Sequence, residues 1–339
     1  MAWYQVKGND SDTVISSRIR LARNLSGFAF GKRLTSERAN EMIDLVCKAL
    51  DGEGFLKIDM SELDDLHKQS LVEEHLISRE LAAKKSPAAL LRRDAQSLSL
   101  MLSEEDHIRL QCILPGLALR DAYRFAHEVD ERLDERLDIA FDEQLGYLTH
   151  CPTNLGTGMR ASVMLFLPAL TKGGYIPSLT HQLSKLGLTV RGLYGEGSAS
   201  HASIWQISNQ ITLGISEEDI LRKLEDAVST IIEKERALRR EVSEEAAALR
   251  EDKIHRAEGI LRYATRLSTE EFFSLYTDLK LGIALGIITS IDDATLNTLL
   301  ISILPATLSL RAEEMPKNAF VRDAYRAKFI KNALEVIKE

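Results

Sequence analysis

Length, composition and charge limit what this chain can be. It has 339 residues, 45% of them apolar, and a formal net charge of −8. A chain of this length commonly folds as two domains, and this apolar fraction is enough for a sizeable core in each. The negative charge argues against a general nucleic-acid-binding protein, although a local basic cleft can still exist in an acidic protein.

The cysteines and the amino terminus favour a cytoplasmic protein. Cys47, Cys112 and Cys151 are widely spaced, odd in number and without a CxxC pair, so they suggest neither a disulfide framework nor a zinc site. The first residues lack the apolar stretch of a signal peptide, and the longest apolar runs are too short to span a bilayer. We therefore expect neither export nor a membrane anchor.

The first predicted strand, residues 14–21, carries two arginines. Its alternation places Arg18 and Arg20 on one face, about 6.6 to 7 Å apart, a spacing that suits neighbouring phosphates of one polyphosphate. Taken alone, the pair is explained as well by solvated arginines on a surface strand. The pair becomes informative only together with other charged residues.

A second polar strand is predicted from Ser103 onward. Alternation over residues 103–114 places Glu105 and Arg109 on one polar face, with apolar residues such as Leu110 on the other. A carboxylate and an arginine would thus share one face of the sheet.

Two glycine-rich segments follow. Residues 151–160 form a turn that leads into the apolar strand 161–167, with Arg160 at the mouth of that strand. Residues 190–197 end a strand in a loop with three glycines around Glu196, which can bring a carboxylate over a bound substrate. Taken alone, each loop is more simply a turn, and Cys151 is more simply a small buried hydrophobe.

The second part of the chain is predicted to be helical. Residues 202–213 alternate as a half-solvated strand, which favours an antiparallel sheet. From Ser216 onward the apolar spacing is helical, and Ser268 followed by Glu271 predicts the start of a helix. The sequence therefore predicts an α+β fold with a boundary near Gly214, which separates residues 1–214 from a helical domain, residues 215–339.

Three motifs, in this order, carry a family resemblance. SSRIRLAR at residues 16–23, EEDHIR at 104–109 and CPTNLGTGMRASV at 151–163 resemble the catalytic domain of the phosphagen kinases, the ATP:guanido phosphotransferases. The small domain that precedes the first motif in phosphagen kinases is expected to be missing, and the helical residues 215–339 are added. This layout is similar to that of bacterial protein-arginine kinases, which implies an antiparallel sheet flanked by helices and phosphorylation of arginine in proteins.

The resemblance implies the roles of individual residues. A guanidinium stays protonated because its pKa exceeds about 12, so a carboxylate must take a proton from it or orient it. Glu105 is expected to be this base, Glu196 a second carboxylate against the substrate, and Cys151 a residue that tunes the site. Mg²⁺ is expected to come with ATP, without protein ligands to the metal. The implied ATP-binding residues are Ser16, Ser17, Arg18, Ile19, Arg20, His75, Arg109, Arg160, Ala161, Ser162, Val163, Met164, Arg191, Gly192, Leu193, Tyr194, Gly195 and Glu196.

A fourth motif lies near the carboxyl terminus. RDAYRA at residues 322–327 matches the phosphoarginine-binding motif RDxxRA of the protein-arginine kinases, with Arg322 and Arg326 one helical turn apart and Asp323 and Ala327 beside them. The string RDAYR also occurs at residues 120–124, so a surface Arg/Asp pair explains the motif almost as simply.

The resemblance also implies partners and leaves alternatives open. It implies arginine-bearing protein substrates, an activator protein, a heat-shock repressor and a Clp-type protease, and apolar faces in the helical part suggest a homodimer. Ser103 stands where the family usually has asparagine, which puts the rate in doubt but not the activity. A kinase of a free guanidino metabolite and a catalytically idle phosphoarginine-binding adaptor remain as alternatives.

Overall fold

A computed structural model of the chain describes residues 2–192, 201–312, 314, 316 and 318–335. Its described part contains ten strands and twelve α-helices. The strands are β1 Val14–Arg23, β2 Leu56–Asp59, β3 Ala89–Arg93, β4 Leu98–Leu102, β5 Ile108–Pro115, β6 Phe141–Asp142, β7 Gly146–Tyr147, β8 Met159–Phe166, β9 Leu188–Gly192 and β10 Ile204–Asn209. The helices are α1 Ser36–Ala49, α2 Asp65–Glu73, α3 Arg79–Ala83, α4 Leu119–Arg136, α5 Pro168–Lys172, α6 Ile176–Lys185, α7 Glu217–Arg240, α8 Glu244–Tyr263, α9 Thr269–Ala284, α10 Asp293–Ser302, α11 Pro305–Leu310 and α12 Ala319–Glu335.

Eight of these strands form one sheet in the order β2-β3-β4-β5-β1-β8-β10-β9. Every neighbouring pair in it is antiparallel. The remaining two strands form a small hairpin. The predicted α+β fold, with an antiparallel sheet, flanking helices and a helical carboxyl-terminal part, is confirmed.

The two faces of the sheet differ in chemistry. Alternate residues of β1, such as Ile19 and Leu21, point into a core shared with α1, α4 and α7. Arg18 and Arg20, which alternate with them along the strand, point to the opposite face, because successive side chains of a strand alternate. One face of the sheet is therefore buried in an apolar core, and the opposite face carries the arginine side chains.

The carboxyl-terminal helices form a second core. Phe272 and Tyr276 of α9 lie at its centre with residues of α8, α10 and α12. Sheet residues on the arginine-bearing face, such as Ile113 and Met164, belong to the same core. The helical part therefore packs beside the arginines, on their side of the sheet.

The domain limits 1–214 and 215–339 stay a prediction. Helix α7 follows Gly214 in sequence, yet its residues Leu224 and Val228 pack into the core under the sheet.

The start of α9 agrees with its sequence signal, since the Ser268 hydroxyl accepts a hydrogen bond from the backbone N–H of Glu271 at 3.1 Å. Among the described residues, no helix combines the length and apolar character needed to cross a membrane.

Two predicted strands are shorter in the structure. The segment from Ser103 to His107 is the turn of the β4–β5 hairpin, closed by a hydrogen bond from the Glu104 N–H to the Asp106 carbonyl at 3.1 Å. Ser103 has a φ of 60°, which a strand cannot contain. Strand β10 likewise covers only Ile204–Asn209 of the predicted range 202–213. Alternation alone does not reveal a positive φ.

A buried ion pair joins the helical part to the segment before β1. The Lys280 ammonium donates to Asp293 at 2.9 Å and to the Ser11 carbonyl at 3.0 Å, and the Ser11 hydroxyl donates to Asp293 at 2.8 Å. The Lys280 and Asp293 side chains are only 0% and 6% exposed. These hydrogen bonds offset part of the cost of removing both charges from water.

Lys280→Ala should therefore strongly destabilise the protein. It leaves the Asp293 carboxylate buried without its cation, a loss that typically costs about 3 to 5 kcal/mol of the free energy of unfolding. Denaturant titration measures this change. The control Arg222→Ala breaks an exposed pair with Asp219 and should leave the free energy of unfolding nearly unchanged. Equal effects of the two substitutions would contradict the assignment.

Candidate active site

The centre of the site is a group of arginines on neighbouring strands. In the β1–β8 register Arg20 lies directly opposite Arg160 and Arg18 opposite Ser162, and in the β9–β10 register Arg191 lies opposite Gln206. Directly opposite residues have Cβ atoms about 4.5 to 5.5 Å apart. The sheet therefore gathers the sequence-predicted arginines on one face.

The arginines repel one another. Burial, together with the charges of Arg109 and Arg160, lowers the pKa of Arg18 to about 10. Burial and the charges of Arg18, Arg109 and Arg160 also hold the pKa of Arg20 well below its usual value. A group of like charges in this environment is unfavourable unless a polyanion binds to it.

Neutral partners hold two of these guanidinium groups in place. Arg18 Nη2 donates to Gln206 Oε1 and Arg160 Nη2 donates to Ser208 Oγ, both at 3.0 Å. The Arg20 side chain has no hydrogen bond to any residue in the described part of the chain, and its Nε is buried. Arg20 is therefore the guanidinium in this group that is left for a ligand.

Arg109 is held by a carboxylate that sequence reasoning did not assign. Its Nη1 donates to both carboxylate oxygens of Glu104 at 2.8 Å, and Glu104 also accepts a hydrogen bond from Ser78. Burial raises the pKa of Glu104, but the charge of Arg109 and these hydrogen bonds outweigh it and give a net lowering. Glu104 is therefore ionised and orients Arg109, while its neighbour Glu105 is left exposed.

Glu105 lies at the tip of the β4–β5 turn. Its side chain is exposed, and partial burial with the charges of Asp106 and Glu104 raises the pKa of its carboxyl group. Asp106 fixes the turn, since its Oδ1 accepts from Asn24 Nδ2 at 2.7 Å and from the His150 N–H at 2.6 Å. The turn carrying Glu105 is thereby attached to the segment that leads to Cys151.

His107 of the EEDHIR motif ends the turn, and its ring is held by two hydrogen bonds. Its Nδ1 accepts from the Leu25 N–H at 3.0 Å, so its Nε2 carries the proton that reaches the Ala29 carbonyl at 3.0 Å. Burial lowers the pKa of His107, which favours the neutral ring. His107 thus positions the turn and is not a group of the reaction.

Cys151 is half-buried at the start of a short 3-10 helix, Pro152–Asn154, with its Sγ 3.0 Å from Thr153 Oγ1. Thr212 fixes this loop by donating to the Leu155 carbonyl at 2.7 Å. Gly156 has a φ of 108°, and a Cβ there would lie 2.2 Å from the Thr212 carbonyl oxygen. The glycine-rich loop is therefore tightly packed against the end of β10.

His75 lies in a cavity of about 630 Å³ beside Arg20 and Arg109. Burial and the charge of Arg18 lower the pKa of His75 to about 4, so its ring is neutral. Met164, which directly follows the third motif, also lines this cavity, and so does Phe273 of α9. The carboxyl-terminal helices therefore form a wall of the site, which no motif indicated.

Other predicted residues lie away from the arginine face. The Ser17 hydroxyl donates to the Gly116 carbonyl at 2.8 Å and accepts from the Ala118 N–H at 3.0 Å, beside α4. Ile19, Ala161 and Val163 belong to the core under the sheet. The structure does not bring these four side chains to the site, whereas Ser16 and Ser162 line a small cavity beside Arg18. Gly192 ends β9; Leu193, Tyr194, Gly195 and Glu196 lie outside the described residues.

The carboxyl-terminal motif lies on α12. Arg322 and Arg326 are one turn apart, but Arg326 is 0% exposed and donates to the carbonyls of Ile303 at 3.0 Å and Leu267 at 2.8 Å and to Asp323 at 2.6 Å. Ala327 is buried beside it. Arg326 therefore braces three segments of the helical part. Arg322 is partly exposed, and its Nε is buried without a partner among the described residues.

A group of arginines on one face of a sheet suits a polyphosphate, and such a site is typical of a phosphotransferase. The sequence matches the family ATP:guanido phosphotransferase, C-terminal catalytic domain, over residues 38–238, and protein-arginine kinase McsB C-terminal domain over residues 248–339. The fold is similar to that of lombricine kinase, with a TM-score of 0.61 and 24% identity over 70% of each chain.

Curated relatives narrow the class further. The protein-arginine kinase of Caldanaerobacter subterraneus is 43% identical over 96% of this chain and 98% of its own. The protein-arginine kinase of Syntrophomonas wolfei is 44% identical over 100% of this chain and 96% of its own. The chain belongs to the protein-arginine kinases of the ATP:guanido phosphotransferase family, and it is an ATP-dependent phosphotransferase.

Proposed function

We propose that this protein transfers the γ-phosphoryl group of ATP to arginine side chains of other proteins. The observation that carries the proposal is the partly buried group of like-charged arginines, in which Arg20 has no hydrogen-bond partner among the described residues. A bound polyanion would stabilise such a group of positive charges, and in this family that polyanion is ATP. The relatives are named protein-arginine kinases, which supports an arginine side chain of a protein as the phosphoryl acceptor.

The proposed reaction divides its work between cations and carboxylates. Arg18, Arg20, Arg109, Arg160 and Arg191 bind the triphosphate and stabilise the charge that develops during transfer. Glu105 accepts a proton from the substrate guanidinium as the new N–P bond forms, and the bond from the γ-phosphorus to the bridging oxygen breaks to release ADP. Mg²⁺ would enter with the nucleotide and would neutralise part of its charge, and no residue of the protein is assigned to it as a ligand.

Two further residues have proposed roles that rest on the family motifs. Glu196 is a second carboxylate that aligns the guanidinium nitrogen with the phosphorus. Cys151 tunes the site without forming a phosphorylated intermediate, in keeping with its position next to the turn of Glu105.

Arg322 and Arg326 are proposed as a regulatory phosphoarginine site. The full burial of Arg326 assigns to Arg322 the direct contact with phosphate in that proposal.

The cellular setting belongs to the same proposal. Phosphoarginine would mark proteins for a Clp-type protease, and phosphorylation of a heat-shock repressor would relieve repression, with an activator protein controlling the enzyme. The protein would act in the cytoplasm, as a homodimer.

The proposal is tested by incubating the protein with ATP, Mg²⁺ and an arginine-rich protein or free arginine. Mass spectrometry is expected to find acid-labile phosphate on arginine of the protein substrate. Phosphate on free arginine alone would favour a metabolite kinase, and ATP binding without turnover would favour an adaptor. Either of these results would overturn the proposal.

A further inference from the structure

Trp3 is a cavity residue that no motif indicated. It lies in a short 3-10 helix, Trp3–Gln5, ahead of β1, and its side chain is 4% exposed. It lines the 630 Å³ cavity together with Arg20 and His75, and also a smaller cavity that contains Arg18. Its ring centroid is 6.1 Å from that of His75, at 45°. The indole therefore lies where the arginine face ends.

The indole nitrogen of Trp3 has an unused donor. Its Nε1 is buried and has no hydrogen-bond partner among the described residues. A buried tryptophan N–H usually finds an acceptor, and this group can only donate. The second tryptophan, Trp205, shows the usual case, since its Nε1 donates to Thr171 Oγ1 at 2.9 Å. An unpaired donor beside a cavity fits a ligand that brings an acceptor.

The surroundings of Trp3 indicate which part of a ligand this is. The cavity is cationic at Arg20 and Arg109, and apolar where Phe273, Leu300 and Leu304 line it. A nucleotide likewise combines anionic phosphates with a flat base that carries ring-nitrogen acceptors. Trp3 and the neutral ring of His75 line the same cavity and offer aromatic surfaces suited to a base.

We propose that Trp3 positions the base of the bound nucleotide, through its ring surface and through a hydrogen bond from Nε1 to a ring nitrogen of the base. This inference rests on the proposed function, which makes a nucleotide the occupant of the cavity. Trp3 acts on binding and orientation and takes no part in phosphoryl transfer.

The position of Trp3 is set by the carboxyl-terminal helices. Tyr4 packs edge-on against it, with ring centroids 5.4 Å apart, and the Tyr4 carbonyl accepts a hydrogen bond from Thr298 Oγ1 of α10 at 3.3 Å. The Ala2 N–H donates to Gln5 Oε1 at 2.9 Å and closes the short helix. The helical part thus holds the residue that is assigned to the base.

The first test compares a ligand that has a base with one that lacks it. Trp3→Phe keeps an aromatic ring and removes the donor. Isothermal titration with Mg-ADP should show affinity reduced by roughly 3- to 10-fold, the effect of one hydrogen bond, whereas the affinity for inorganic tripolyphosphate should not change. Equal loss for both ligands, or loss for neither, would overturn the assignment of Trp3. Failure of the unaltered protein to bind either ligand would instead overturn the proposed function.

A second measurement does not depend on replacing Trp3. In Trp205→Phe, Trp3 is the one tryptophan left, since the chain has two. Mg-ADP should change its fluorescence, and tripolyphosphate should leave it nearly unchanged. In Trp3→Phe, where Trp205 remains on the opposite face of the sheet, ADP should produce no such change. Emission from Trp3 that is insensitive to ADP at saturation would contradict the inference.

Discussion

Glu105→Gln is expected to lower the rate of arginine phosphorylation by about 10²- to 10⁴-fold, the usual contribution of a general base. Glutamine keeps the shape of the side chain and a hydrogen-bonding oxygen, but it cannot take the proton from the guanidinium. Because Glu105 is exposed at the tip of a turn that Asp106 fixes, the fold should be unaffected. Single-turnover kinetics with saturating ATP measures the chemical step.

The control for Glu105 is Glu143→Gln, which changes an exposed glutamate in the turn between β6 and β7. It should leave both the rate and the melting temperature unchanged.

In the unaltered protein, partial burial and the neighbouring carboxylates raise the pKa of Glu105. The rate should therefore fall with decreasing pH at a higher pH than an ordinary glutamate would give. A rate for Glu105→Gln within threefold of the unaltered protein would refute its role as base.

Much of the fold could be predicted because its signals are local. The alternation of β1 placed Arg18 and Arg20 on one face, and burial of Ile19 and Leu21 under the helices keeps them there. The spacing after Ser216 predicted helices, which need only an apolar stripe and a cap. The order of motifs then fixed the class of protein, which the comparisons confirm.

What could not be predicted depends on long-range packing. Nothing near Glu104 in the sequence shows that it, and not Glu105, pairs with Arg109, because the choice is made by Ser78 and by the tight turn at Ser103. The wall of the cavity formed by α9 is likewise a consequence of tertiary packing. No sequence pattern assigned a role to Trp3, and the structure places it among the residues that line the 630 Å³ cavity.

For the RDAYRA motif, the sequence predicted the helix but not which of its two arginines is buried. Its helical spacing correctly places Arg322 and Arg326 one turn apart on one helix, α12. Spacing cannot tell which of two arginines is buried, and Arg326 is used inside the protein, where it binds backbone carbonyls. One short motif can therefore contain a partly exposed arginine and a buried arginine that supports the fold.

Arg20→Met is expected to separate activity from stability. It removes a charge that the surrounding arginines repel and that has no partner among the described residues, so the melting temperature without nucleotide should stay the same or rise. The same change should lower kcat/KM by about 10²-fold or more, because one contact to the developing phosphate charge is lost. The rise in melting temperature on addition of ADP should also shrink.

Arg23→Met is the matched control, three residues further along the same strand and on its other face. Arg23 donates to Asp130 at 2.7 Å and to the carbonyls of Ala22 at 2.9 Å and Thr157 at 3.0 Å. Its loss leaves a buried carboxylate uncompensated and should cost about 3 to 5 kcal/mol of the free energy of unfolding. Only if Arg20 is kept for a ligand should the partly buried Arg20 and the buried Arg23 respond to the same substitution with opposite signs. A loss of stability for Arg20→Met comparable to that of Arg23→Met would show that Arg20 supports the fold instead.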